Sequence, residues 1–285
     1  MKATKMKSEL ALVVGASGTV GGDLLRRLQT LGLRTRATTS KRGNLGDGQV
    51  HVDLVTGEGI KEAFEGADRA FLLSPPGYAN QHALLSPLIQ EAKRRGLKKV
   101  VLMTAIGVDA NEASPFRKAE LELEKSGLNY NIIRPNWFMQ NFNTFWIQGI
   151  NAQNKILLPA GTAKTSFIDA RDISAVAANL LVSEELNNQA FNLTGPEALD
   201  HDQVAAQISN VTNRKIEYVE IQPSELKMGL LAGGLPEDYA ELLLILFGFL
   251  REGYNAAVTS DVQKIMGRSP LSFTQYTNDF KKSWN

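Results

Sequence analysis

The sequence predicts an α/β fold: a doubly wound parallel sheet with a smaller annex toward the C-terminus. Three observations predict it. Short apolar runs alternate with helix-period segments through the first two-thirds of the chain. Several of those runs are apolar without a polar alternation. The first of them ends in a glycine-rich turn. Strands covered on both faces read as unbroken apolar runs, and strand–helix alternation joins parallel neighbours through crossovers.

Taken in order, Leu10–Val14 is the first strand, and Val20, Leu24, Leu28 and Leu31 recur at helical spacing up to Gly32. Leu33–Thr39 and Val50–Leu54 read as strands two and three, with a helix over Lys61–Gly66. Ala70–Leu73 is a fourth strand, stopped by Ser74-Pro75-Pro76, and Gln81–Gly96 a helix. Lys99–Thr104 is a fifth strand, Pro115–Gly127 a charged amphipathic helix, and Tyr130–Arg134 a sixth strand ended by Pro135. Beyond about residue 140 the rhythm loosens. Helices are expected over Asp169–Ser183, over Asp200–Asn210 with an acidic cap, and over Pro236–Glu252, with short strands at Ala190–Leu193 and Lys215–Glu220. Gly229–Gly234 reads as a loop or lid, and the last segment as a further helix. No repeat or linker interrupts the chain. It is therefore expected to form one domain over 1–285, with a dinucleotide-binding core over about 1–150 and a substrate-side annex over about 151–285.

Composition narrows the function classes. The 285 residues are 43% hydrophobic and 21% charged, with 31 basic against 30 acidic side chains and a formal net charge of +1. That balance gives no long-range attraction to nucleic acid or an anionic membrane. Cysteine is absent, which excludes disulfides, thiol nucleophiles and cysteine-type metal sites. His51, His82 and His201 lack ligand spacing, so no metal is expected. The basic N-terminus leads into an apolar stretch too short for a secretory signal, and Leu242–Leu250 is too short to span a membrane. The expectation is a cytoplasmic monomer or homodimer acting on a small molecule.

Gly15-Ala16-Ser17-Gly18-Thr19-Val20-Gly21 has the spacing GxxGxxG at the junction of the first strand and first helix. Gly15 permits the tight turn, Gly18 lets the backbone approach a pyrophosphate, and Gly21 permits close helix–strand packing. A phosphate there meets the N–H groups and positive dipole end of the helix, with Ser17, Thr19 and Val20 in the same turn. A Rossmann-type dinucleotide site follows from that context. Sites for NAD(H) place an acid at the end of the second strand to hold the ribose 2′-hydroxyl. This chain reads Thr38-Thr39-Ser40-Lys41-Arg42, so Ser40, Lys41 and Arg42, with Arg36 nearby, suit the 2′-phosphate of NADP(H). Asp53 could accept from the adenine amino group or close a surface turn. Leu73, Ser74, Pro75 and Pro76 lie on the carboxyl edge, where the ribose and nicotinamide would run.

The segments GASGTVGG, VVLMTAIGVD, FRKAELELEKSGLNYNIIRPNWFMQNF and FIDARDISAVAANLL together resemble the NmrA-like branch of atypical short-chain dehydrogenases/reductases. RPNWFMQN, LTGPEALDHDQVA, NRKIEYVE and GLPEDYAELL are similar to ergot-alkaloid dehydrogenases of the agroclavine/festuclavine type. A looser similarity extends to triphenylmethane-dye reductases and bacterial quinone reductases. Ordinary members of the superfamily use Tyr-x-x-x-Lys, in which the lysine tunes a tyrosine acid/base and holds the ribose. Lys118 matches the lysine, Thr104 matches the usual Ser/Thr position, and Ser114 stands where the tyrosine would be. The resemblance puts Pro135 and Asn136 at the nicotinamide end and Trp137 and Phe138 on the pocket wall. Tyr78 and Tyr239 are candidate substitute acids.

Loss of the tyrosine favours acceptors that are already electron-poor. The resemblance therefore implies NADPH-dependent reduction of an activated C=N, C=C, quinone or dye. The reading from another class is a non-catalytic NADP(H)-binding redox sensor, a type that the NmrA-like branch contains. A sugar-nucleotide epimerase is disfavoured, because it needs the missing tyrosine.

Overall fold

The computed structural model describes residues 9–43 and 45–284. Along the chain the order is β1 (Leu10–Val13), α1 (Thr19–Thr30), β2 (Arg34–Thr39), β3 (Gln49–His51), α2 (Ile60–Ala63), β4 (Arg69–Leu72), α3 (Gln81–Arg95) and β5 (Lys99–Met103). There follow α4 (Pro115–Glu124), β6 (Tyr130–Pro135), α5 (Ile147–Gln153), β7 (Lys155–Leu158), α6 (Ala170–Val182), β8 (Gln189–Leu193) and α7 (His201–Thr212). The chain ends with β9 (Glu217–Glu220), α8 (Pro223–Ala232), α9 (Glu237–Arg251), α10 (Asp261–Met266) and α11 (Phe273–Phe280). By internal contacts it divides into two compact units. The first comprises the chain up to Pro76, Asn80–Arg134 and Ile173–Asn192, and the second Gly77–Ala79, Pro135–Asp172 and the chain from Leu193 onward.

The first unit is organised on a seven-stranded sheet in the order β3-β2-β1-β4-β5-β6-β8. The pairings β3–β2–β1–β4–β5–β6 are parallel, with Leu12 opposite both Arg36 and Ala70. All four residues of β1 and of β4 are buried, which is why their sequences show no polar alternation. Leu12, Leu72, Leu102 and Ile132 on the strands pack with Phe64, Leu85, Leu88 and Leu123 from the flanking helices. Strand order reverses between β1 and β4, and the crevice outside the carboxyl ends of those two strands is where such sheets hold ligands. Doubly wound topology is thus observed as expected.

The second unit is built around aromatic packing. Phe142, Phe167, Phe247, Phe273, Tyr276 and Trp284 are buried together with Ile208 and Leu250. In this unit α5 and β7 were not legible in advance, and α8 was read in part as a loop. The strand β7 pairs in parallel with β9, Ile156 opposite Tyr218, so a four-residue run finds its partner some sixty positions away. The segment expected to be a loop or lid, Gly229–Gly234, is mostly the end of α8, and only Gly233 and Gly234 leave the helix. Pro223 at the helix start, the Gln222–Glu225 capping box, and Leu226 and Leu230 buried in the core outweigh the weak helix propensity of Gly229. The acidic cap expected for α7 is present as an Asp200–Gln203 capping box.

Candidate functional site

The glycine turn has the geometry of a phosphate cradle. Gly15 sits at φ +73°, in the left-handed region that favours glycine, and its N–H donates to Thr38 Oγ1 at 3.1 Å. A Cβ at Gly15 would press on Leu73 Cδ1 at 2.7 Å, and one at Gly21 would collide with the Gly15 carbonyl oxygen. The turn is closed by Gly18 N–H donating to the Gly15 carbonyl at 3.0 Å. The first full helical bond, Gly22 N–H to the Gly18 carbonyl, follows at 2.9 Å. Gly18 is the N-cap and carries no side-chain cap, so the N–H groups of the first turn remain available to an anion. Ser17, Gly18 and Thr19 are exposed, while Val20 and Leu24 anchor the helix to the core. A dinucleotide pyrophosphate fits this arrangement.

Beside it lies the end of β2. Ser40, Lys41 and Arg42 are all exposed, and the Lys41 N–H donates to Thr39 Oγ1 at 3.2 Å. Arg36 is engaged elsewhere: its Nη1 donates to the carbonyls of Glu62, Ala63 and Glu65, closing the end of α2. A residue missed in the sequence completes this corner. Glu58 Oε2 accepts from Arg42 Nη2 at 2.6 Å, so an acid does stand within reach of the basic turn. Asp53 closes a turn, accepting from the N–H groups of Val55 at 2.8 Å and Thr56 at 3.2 Å. The backbone bonds from Thr56 and Val55 hold its carboxyl below the ordinary aspartate range. After β4, Leu73, Ser74 and Pro75 are half-buried, and Ser74 Oγ donates to the Pro75 carbonyl at 3.3 Å.

At the end of β5, Thr104 belongs to a buried charge network. Its hydroxyl donates at 2.7 Å to Glu120 Oε1, and Glu120 is fully buried on α4. Arg134 grips the same carboxylate with Nε at 2.9 Å and Nη2 at 2.7 Å, and reaches Asp109 at 2.6 Å. Arg117 adds a further bond to Glu120 at 2.9 Å. Burial alone would lower the Arg134 pKa; the hydrogen bonds and charge of Glu120, with Asp109, outweigh it and raise the value. Lys118 is exposed on the same helix, and its backbone N–H donates to the Ser114 carbonyl. Ser114 is the N-cap of α4, with no side-chain cap bond, so a short hydroxyl stands four residues before Lys118. Across α3 and α4, His82 Nε2 pairs with Glu122 at 2.9 Å. No cluster of metal-ligating side chains occurs among the described residues.

The remaining candidates belong to the second unit. Asn136 is buried and fully engaged. Its Nδ2 donates to Ser166 Oγ and to the Asn255 carbonyl, both at 2.8 Å, while its Oδ1 accepts from Trp137 N–H and Asn255 Nδ2. Its side chain orders the segment after β6. Trp137 packs against Phe247 at 4.9 Å and Trp146 at 5.8 Å between ring centroids, two partners with no local sequence signal. Phe138 bridges to Ile168 through the backbone, and Pro135 ends β6. Tyr78 is exposed. Burial raises the Tyr239 pKa, with a bond to the Gly77 backbone opposing it.

A family model described as the NmrA-like family matches residues 7–276. The chain belongs to the NmrA-like family. Three curated relatives of this NmrA-like protein are informative. An uncharacterized oxidoreductase, YesF, of Bacillus subtilis is 32% identical, covering 98% of each chain. An NAD(P)H azoreductase of Xenophilus azovorans is 32% identical over 94% of this chain and 96% of its own. Agroclavine dehydrogenase of Claviceps fusiformis is 31% identical over 79% of this chain and 78% of its own. Among solved structures, the negative transcriptional regulator NmrA in complex with NADP superposes with a TM-score of 0.77 at 18% identity. That match covers 97% of this chain and 96% of the regulator. It shares the fold of this NmrA-like chain, and the sheet described above is the Rossmann type that the glycine motif implied. No helix among the described residues is long and apolar enough to cross a membrane.

Proposed function

We propose that this NmrA-like protein is an NADPH-dependent oxidoreductase that reduces an electron-poor acceptor: an iminium or imine, a quinone, a dye or an activated C=C. The observation that carries the reading is the uncapped glycine turn at the β1/β4 switch point, beside the exposed Ser40, Lys41 and Arg42. The relatives named as an NAD(P)H azoreductase and an agroclavine dehydrogenase support the redox class.

In this reading the bound nicotinamide supplies a hydride. The chain's own residues do the rest. The N–H groups of the first turn of α1 neutralise the pyrophosphate. Lys41 and Arg42 hold the 2′-phosphate by charge-assisted hydrogen bonds. Leu73, Ser74 and Pro75 line the path of the ribose, Lys118 binds a ribose hydroxyl, and Pro135 abuts the nicotinamide end. Asp53 acts on the adenosine end through the turn that it closes. Thr104, its proton committed to Glu120, presents lone pairs and so accepts from a donor on ligand or cofactor. Trp137 and Phe138, with Tyr78 and the Asn136-braced segment, offer flat acceptors a stacking face. Ser114 cannot replace a lysine-tuned phenol as acid, so acceptors that need strong protonation, such as plain ketones, are poor substrates.

A second reading, a non-catalytic NADP(H) sensor, is favoured by Ser114 in the tyrosine place and by the fold shared with the NmrA regulator. Turnover separates the two. Purified protein should oxidise NADPH with at least one of a panel of quinones, azo dyes and cyclic iminium compounds. Tight NADPH binding with no oxidation by any acceptor would establish the sensor instead.

A further inference from the structure

The corner that would receive the adenosine ribose holds one charge too many for a simple 2′-phosphate site. Glu58 places a carboxylate at 2.6 Å from Arg42, the side chain that would bind that phosphate. The placement is built. The Asp53 N–H donates to the Glu58 carbonyl at 3.0 Å, and the Gly57 N–H donates to the Asp53 carbonyl at 2.8 Å. The Glu58 N–H meets Thr56 Oγ1 at 3.3 Å, and the Asp53 carboxylate fixes Val55 and Thr56 from inside the same turn. Gly59 follows at φ +80°, where a side chain would collide with the His51 carbonyl oxygen, so the backbone beyond Glu58 has one course. These contacts fix the backbone that carries Glu58, and from it the exposed carboxylate meets Arg42.

We propose that Glu58 is a specificity-determining residue that restrains the preference for NADP(H) and keeps the site open to NAD(H). The proposal rests on the dinucleotide reading above. A 2′-phosphate must displace Glu58 from Arg42 and then sit beside a like charge, which costs it part of the attraction that Lys41 and Arg42 supply. A 2′-hydroxyl meets the opposite situation. The Glu58 carboxylate is the acceptor that such a hydroxyl needs, and Arg42 holds it in place. One ion pair thus serves both cofactors, its cation for one and its anion for the other.

The test is Glu58→Gln, which keeps the backbone bonds of the turn and removes only the charge. Dissociation constants for NADPH and NADH are measured by fluorescence titration on wild type and variant at low salt. NADPH binding should tighten about fivefold, the scale of one exposed charge interaction, with NADH unchanged or weaker. Glu58→Asp should keep the preference nearer to wild type, and adenosine 2′,5′-bisphosphate should follow the NADPH result while ADP follows NADH. An unaltered NADPH-to-NADH ratio in Glu58→Gln overturns the proposal and leaves the dinucleotide site standing. Failure of wild type to bind either dinucleotide overturns both.

Discussion

His201 gives the most quantitative prediction. It is completely buried at the start of α7, its ring 5.3 Å from Tyr218, 5.7 Å from Phe167 and 6.1 Å from Phe142 between centroids. Neither ring nitrogen has a hydrogen-bond partner among the described residues. Burial pushes its pKa down to about 4 from 6.5, and the neighbouring Asp200 recovers only part of that. A folded value below the unfolded one means that the unfolded chain binds the extra proton between those limits. Stability is therefore retained above pH 6.5 and lost as pH falls through 4. At 1.36 kcal/mol per pKa unit, the limiting loss is about 3 kcal/mol, and about 2.5 kcal/mol has gone by roughly pH 4.5. His201→Phe removes the titration and keeps the ring packing. Urea unfolding of both proteins from about pH 7.5 to 4.5 should show the wild type losing that much more than the variant. A wild-type-minus-variant difference that does not change with pH would refute the argument.

Three further outcomes follow from named contacts. Gly21→Ala should abolish dinucleotide binding, because its methyl group meets the Gly15 carbonyl oxygen; wild-type affinity by titration would remove the turn from the site. Replacing Lys41 and Arg42 together by alanine should weaken NADPH about tenfold or more and NADH far less, since charge-assisted bonds to the 2′-phosphate are lost. Equal loss for both would sink the 2′-phosphate assignment. Glu120→Ala should cost about 3–5 kcal/mol in chemical denaturation, because the buried Arg134 guanidinium loses its acceptors at Nε and Nη2 and keeps only the more exposed Asp109. A cost below about 1 kcal/mol would show that the network relaxes or is wet.

The fold was legible where the chain makes its signals locally. Leu10–Val13 and Arg69–Leu72 are buried on both faces, and the glycine spacing marks the turn between β1 and α1. What escaped sequence reading depends on distant partners. Arg36 and Arg42 look alike on the same basic segment, yet one closes α2 while the other pairs with Glu58 sixteen residues away. The β7–β9 pair is set by register between remote strands. Gly229 suggested a loop, but Leu226 and Leu230 on either side of it bury a helical face that local propensity does not reveal. Candidate residues such as Asn136 and Thr104 could be named from sequence. Their hydrogen-bond commitments, which decide what each can still offer a ligand, could not.

Hydride transfer itself can be followed with NADPH carrying deuterium at both C4 positions of the nicotinamide. Incubation with the best acceptor that is reduced at carbon, an iminium or an activated C=C, and mass analysis of the product tests the central claim most directly. The account predicts one deuterium delivered to the reduced carbon of an iminium or activated C=C acceptor, with a slower rate than for unlabelled NADPH when chemistry limits turnover. Product that forms without the label at that carbon, or NADPH that stays bound and unoxidised, would contradict it.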